Sequence, residues 1–130
     1  MTAQNDALIA IVDDDASVCR ALKRLVTSFG YSGETFSRGE DLLSRLAGAS
    51  SFRPNCVVLD MHMPGLTGVD VQQRLAHTAL PVIFITAHDE PGLREKVMAA
   101  GAVALLRKPF TDESFLGTLQ MALSRPTGHY

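Results

Sequence analysis

Tryptophan is absent from this chain, aromatic residues make up only 6% of it, and its longest apolar runs are five or six residues. A membrane-spanning helix needs about 20 apolar residues in succession, so none is expected here. Neither sign of charge dominates. Twelve Lys and Arg against fourteen Asp and Glu leave a net −2 at pH 7, and no global field recruits nucleic acid. Only two cysteines occur, Cys19 and Cys56. Neither has the close spacing to His or another Cys that a zinc site or redox dithiol requires, so both are expected as small buried thiols. The opening MTAQNDA lacks the basic and apolar regions of a signal peptide, and a cytoplasmic location is expected.

What is present is an alternation of strand-like and helix-like segments over 130 residues, 46% apolar and 20% charged. That length supports one core, and the alternation argues for α/β architecture, a parallel sheet with helices on both faces. No repeat or low-complexity tract interrupts it. One domain is expected over residues 1–130, with its core at about 7–124 and residues 125–130 as a frayed tail or linker stub.

The first strand is expected over Leu8–Val12. A helix follows with Val18, Ala21, Leu22, Leu25, Val26 and Phe29 on one face, stopped by Gly30. The second strand, around Tyr31–Phe36, is more polar and suits an edge. Ser37 and Glu40 form a capping-box pattern opening a second helix, and Pro54 leads into a third strand, Asn55–Asp60. After a loop through Pro64 and Gly65, Thr67 and Asp70 predict a capped third helix. The fourth strand spans Pro81–Ile85. A loop through Asp89 then leads to a fourth helix, Glu90–Ala100, ended by Gly101. The fifth strand covers Ala102–Leu106, and Thr111 or Asp112 caps the last helix, with Phe115, Leu119 and Ala122 inward.

The chemistry gathers where the strands end. The first runs into Asp13, Asp14 and Asp15, the third into Asp60, the fourth into Thr86, and the fifth, after one Arg, into Lys108. In a parallel sheet these residues reach the same edge, where open α/β sheets keep their ligands. Clustered carboxylates repel one another unless a cation joins them, and an all-oxygen set suits Mg²⁺. A hydroxyl and an ammonium beside that cation make a place for a phosphoryl group. Asp15 is expected to be a helix N-cap.

In this order and at these intervals, the acids, Asp60 followed by MHMPGLTG, Thr86-Ala87 and Lys108-Pro109-Phe110 resemble the receiver domain of two-component response regulators. The resemblance spans nearly the whole chain. It implies a flavodoxin-like (βα)5 fold: five parallel strands in the order 2-1-3-4-5, doubly wound with five helices. It implies a phosphoacceptor signalling domain, promoting only its own phosphorylation and dephosphorylation. Asp60 would accept the phosphoryl group from a sensor histidine kinase or histidine phosphotransfer protein. Asp13, Asp14, Asp60 and the backbone carbonyl of His62 would hold Mg²⁺ or Mn²⁺. Thr86, Ala87 and Lys108 would contact the phosphoryl group, and His62 and His88 would tune its loss to water. A cis Lys108-Pro109 bond is implied too. The face made by the fourth helix, fifth strand and fifth helix would dock an effector domain or a second copy, without direct contact to nucleic acid or membrane.

One position departs from the family pattern. Receivers usually carry Tyr or Phe three residues before the lysine, where this chain has Leu105, so the aromatic half of the usual switch is missing. Two other readings compete. A haloacid-dehalogenase-type phosphohydrolase would use Asp13 and Asp15 in an Asp-x-Asp pattern, but it would leave Asp60 without a role. A degenerate receiver serving only to dock would not need Asp60, Thr86 and Lys108 together.

Overall fold

The computed structural model describes residues 7–48, 51–88 and 90–124. Five strands, β1 (Leu8–Val12), β2 (Ser32–Phe36), β3 (Cys56–Asp60), β4 (Val82–Thr86) and β5 (Ala104–Arg107), form one sheet in the order β2-β1-β3-β4-β5. Every pairing is parallel. The helices are α1 (Ala16–Ser28), α2 (Gly39–Gly48), α3 (Gly68–Leu75), α4 (Leu93–Ala99) and α5 (Asp112–Ser124). No described helix is long and apolar enough to cross a membrane.

Side chains alternate across a strand, and here the alternation separates two cores. Ile9, Ile11, Val58, Ile83 and Ile85 pack with Leu22 and Val26 of α1 and with Phe115 and Leu119 of α5. Ala10, Val12, Val57, Leu59, Phe84 and Leu105 pack with Leu42 of α2, Val71 of α3 and Leu93 and Val97 of α4. Phe84 and Phe115 are fully buried, one in each layer. Truncating either to Ala would cost about 3–5 kcal/mol. Both cysteines are buried; burial pushes the Cys56 thiol up to about 12.

Most helix ends follow the sequence. Asp15 caps α1 by accepting from the Ser17 N–H at 2.9 Å. Beyond α1, Gly30 at φ 95° lets the Tyr31 N–H reach the Val26 carbonyl at 3.0 Å. Thr67 and Asp70 close a reciprocal capping box on α3. Thr111 caps α5 through the Ser114 N–H.

Three boundaries differ. The Ser37–Glu40 box does not form: α2 begins at Gly39, Arg38 carries the first carbonyl acceptor, and Glu40 lies beside Arg38. β2 ends at Phe36 as expected, and the first helical acceptor falls on Arg38, one residue after Ser37. α4 starts at Leu93 rather than Glu90, because Pro91 and left-handed Gly92 form a turn before it. β5 begins at Ala104, two residues beyond Ala102, whose N–H turns back to Val97 to close α4. A short 3-10 turn, Ala76–Thr78, extends α3 and ends at Ala79 in the left-handed region. The expected tail, residues 125–130, and Asp89 lie outside the described residues.

Candidate functional site

Strand ends bring the acids together. The Asp13 N–H still donates to the Phe36 carbonyl at 3.1 Å, so the β1–β2 ladder holds Asp13 one residue beyond β1. Asp60 is the last residue of β3. Both continue the strand positions that face α1 and α5, as Ile11 and Val58 do. Thr86 ends β4 on the opposite parity, that of Val82 and Phe84. Asp13 and Asp60 are 1% and 6% exposed, while Asp14 is open to solvent. Carboxylate oxygens of Asp13, Asp14 and Asp60 lie within 4.8 Å of one another.

Lys108 closes this cluster from β5's side. Its N–H donates to the Thr86 carbonyl at 2.7 Å, carrying the sheet ladder past β5, and the Lys108-Pro109 bond is cis. The Lys108 Nζ is 3.0 Å from Asp13 Oδ2 and 4.0 Å from Asp60 Oδ1. Asp13 Oδ1 accepts the Asp15 N–H at 2.9 Å, and the Cys19 thiol donates to the Asp13 carbonyl at 3.2 Å. Asp13 is thus held at four points.

Asp60 has fewer partners. Its Oδ1 accepts the His62 N–H at 3.4 Å. Burial, and after it the charge of Asp13, pushes its carboxyl from the ordinary 3.8 up to about 6; Lys108 and the His62 N–H pull it down, and Asp14 adds a smaller push upward. A buried carboxylate with like charges beside it is where a cation binds best. The donors are all hard oxygens, so Mg²⁺ or Mn²⁺ fits them.

The remaining predicted residues line the other side. The Thr86 hydroxyl donates to the His88 carbonyl at 3.0 Å and accepts the His88 N–H at 3.1 Å, tying the loop after β4 to the strand end. Ala87 and His88 are exposed, as is His62. The His62 and His88 rings meet edge to face, centroids 5.6 Å apart. Leu105 is buried with Phe84, Leu93 and Val97, and its carbonyl accepts from Arg94 of α4 at 3.3 Å.

Gly68 is a positioning residue to which the sequence reading gave no role. A Cβ there would lie 2.7 Å from the Asp60 carbonyl and 2.8 Å from the Phe84 ring, so only glycine lets α3 start this close to the end of β3. It ends the MHMPGLTG run after Asp60 and sits at the start of a capped helix, but neither signal names the close approach to β3. The Cys19 contact to Asp13 had no signal at all.

The profile of the response regulator receiver domain matches residues 9–120. The chain belongs to the response regulator receiver family. It is 37% identical over 120 residues to response regulator protein TmoT of Ectopseudomonas mendocina, covering 91% of this chain and 53% of that protein. It is 36% identical over 126 residues to nodulation protein W of Bradyrhizobium diazoefficiens, covering 95% and 54%. Among solved structures, a response regulator receiver protein from Burkholderia phymatum superposes with TM-score 0.86 at 49% identity, covering 94% of this chain and 98% of that one. The receiver spans about half the length of the curated relatives it matches. Receivers are phosphoacceptor signalling domains of two-component systems, and their acidic pocket uses Mg²⁺. Family membership removes the phosphohydrolase reading of Asp13 and Asp15.

Proposed function

We propose that Asp60 accepts a phosphoryl group from the phosphohistidine of a sensor histidine kinase or histidine phosphotransfer protein. A carboxylate oxygen of Asp60 attacks phosphorus as the phosphorus–nitrogen bond breaks. The electron pair returns to the donor imidazole, and an acyl phosphate forms. The observation that carries this reading is the position of Asp60. It is a buried carboxylate at the strand edge, with Asp13, Asp14 and Lys108 around it and fewer ties than Asp13.

Asp13, Asp14, Asp60 and the His62 backbone carbonyl would hold Mg²⁺ or Mn²⁺, which neutralises carboxylate and phosphoryl oxygens brought together there. Lys108 shifts from Asp13 to a phosphoryl oxygen as charge arrives on Asp60. Thr86 gives up its bonds to His88 and donates to a second oxygen, and the Ala87 N–H approaches the same group. His62 and His88, paired at the mouth, limit how water reaches phosphorus and so set how fast Asp60 regenerates. The domain is a phosphoacceptor, not an enzyme acting on other molecules.

Release of the loop after β4 would pass to the face of α4, β5 and α5, where an output domain, a separate partner or a second copy docks. A phosphoryl group need only favour one of two existing states. Because Leu105 is aliphatic, α4 and its preceding loop carry the change. Treatment with acetyl phosphate and Mg²⁺, followed by mass mapping of the labelled peptide, tests the reading. Label on Asp60 alone is expected; label on Asp13, or none, contradicts it.

A further inference from the structure

At the other end of the sheet from Asp60, where β3 and β4 begin, a groove of about 530 Å³ opens between α2 and the connection from α3 to β4. That volume lies within the range of small-molecule sites, roughly 300–1,000 Å³. Leu43, Leu46, Phe52, Leu75 and Leu80 give it apolar walls. Phe52 is packed in place: it is 3% exposed, the Arg45 guanidinium lies 4.5 Å from its ring centre, and Phe36 meets it edge-on.

The polar rim has one sign. Arg53, Arg74 and His77 line the groove, and no Asp or Glu does. Arg45 nearby is paired with Glu34 at 2.9 Å, whereas neither Arg53 nor Arg74 has an acid within ion-pair distance among the described residues. Asp70, one turn before Arg74, feels its charge, yet the Asp70 carboxylate is committed to the Thr67 N–H. Two exposed guanidiniums, Arg74 with the charge of Asp70 near it, and an imidazole beside apolar walls suit a ligand with an acyl or aryl body and an anionic head, since Arg binds carboxylates through paired N–H donors.

We propose that this groove binds a small amphipathic carboxylate, its chain against Leu46, Phe52 and Leu75 and its head between Arg53 and Arg74. The groove is concave and lined by a dozen residues, well short of the roughly 20–30 residues a side of a stable protein interface. A small molecule therefore fits it better than a folded partner. The proposal does not rest on the phosphoacceptor reading, because the groove and the acids lie at opposite ends of the sheet.

The test is an NMR titration of the ¹⁵N-labelled chain with octanoate, with octanol as the uncharged control. Saturable shifts should map to the amides around Leu46, Phe52, Asn55 and Leu75, leaving those of Asp13 and Lys108 in place. The Arg53→Gln/Arg74→Gln double variant, altered only at exposed positions, should bind octanoate about tenfold or more weakly while octanol binding is unchanged. Equal affinities for octanoate and octanol, full affinity in the double variant, or shifts centred on Lys108 would each overturn the proposal. So would binding of an acidic amphipathic peptide where octanoate leaves the spectrum unchanged.

Discussion

The two sides of the site are built differently. On the β1–β3 side the groups are already assembled: Asp13, Asp14 and Asp60 share one small volume, and Lys108 reaches two of them. On the β4–α4 side they are engaged elsewhere. Thr86 spends its hydroxyl on the His88 backbone, and α4 is seven residues long, buries only Leu93 and Val97, and has no side-chain cap. Strands sunk in two cores hold the acids despite their repulsion. A short helix behind a turn holds the other side, so a modest change in its hydrogen bonds can move it. Electrostatic tension sits on the rigid side and freedom on the loose one.

The largest effect that would break this contrast falls on Asp60. Asp60→Asn should abolish phosphoryl incorporation from acetyl phosphate, read by intact mass, since the amide is no nucleophile for phosphorus. Residual labelling of the variant would move the acceptor to another residue of the rigid side.

Metal affinity comes next. Asp14→Ala removes a carboxylate from the cluster and should weaken Mg²⁺ binding by about tenfold or more. Lys108→Ala removes a competing cation 3.0 Å from Asp13 and should leave binding unchanged or tighter. Calorimetric titration separates the two; parallel losses would mean that Lys108 organises the acids rather than opposing the ion.

Much of this was readable in the residues. The continuous apolar runs of β1, β3, β4 and β5 and the polar residue at or just beyond the end of each placed Asp13, Asp60, Thr86 and Lys108 at one edge, because parallel pairing brings the strand ends together. Local competition was harder to see. Ser37 and Glu40 matched a capping pattern, but the first helical carbonyl acceptor is Arg38, and Glu40 lies beside the Arg38 side chain instead. Pro91 and Gly92 displaced the start of α4 from the expected Glu90 to Leu93. The partners of Thr86 and Lys108 depend on backbone atoms and charges brought near by folding, which spacing does not encode.

The raised Asp60 pKa gives a third test. Between about pH 4 and pH 6 the folded, metal-free chain keeps a proton on Asp60 that the unfolded chain has released. The folded state then binds more protons, so stability falls as pH rises through this window and stays lower above it. The interval from 3.8 to about 6 corresponds to about 3 kcal/mol at most. Denaturant melts across pH should show that fall, and Asp60→Asn should remove it and be the more stable protein at pH 7. A slope that survives in the variant would assign the tension to other acids.

The smallest effect belongs to the loose side. Thr86→Ala removes two hydrogen bonds to His88, and the net cost should be about 1 kcal/mol, seen in a denaturant midpoint. Amide exchange should quicken in α4 and hardly change in β1 or β3. A global loss of protection would show that the two sides are not separable.

Hydrogen exchange of the Mg²⁺-loaded chain with and without beryllofluoride, a phosphoryl mimic on Asp60, compares the two sides in one experiment. Modest extra protection is expected at the Asp13–Asp15 and Asp60–His62 segments, where the groups are already in place. The larger change is expected in the loop after Thr86 and through Leu93–Ala99. Protection confined to the acid-bearing loops, with Leu93–Ala99 exchanging as before, would contradict a rigid acceptor coupled to a loose switch.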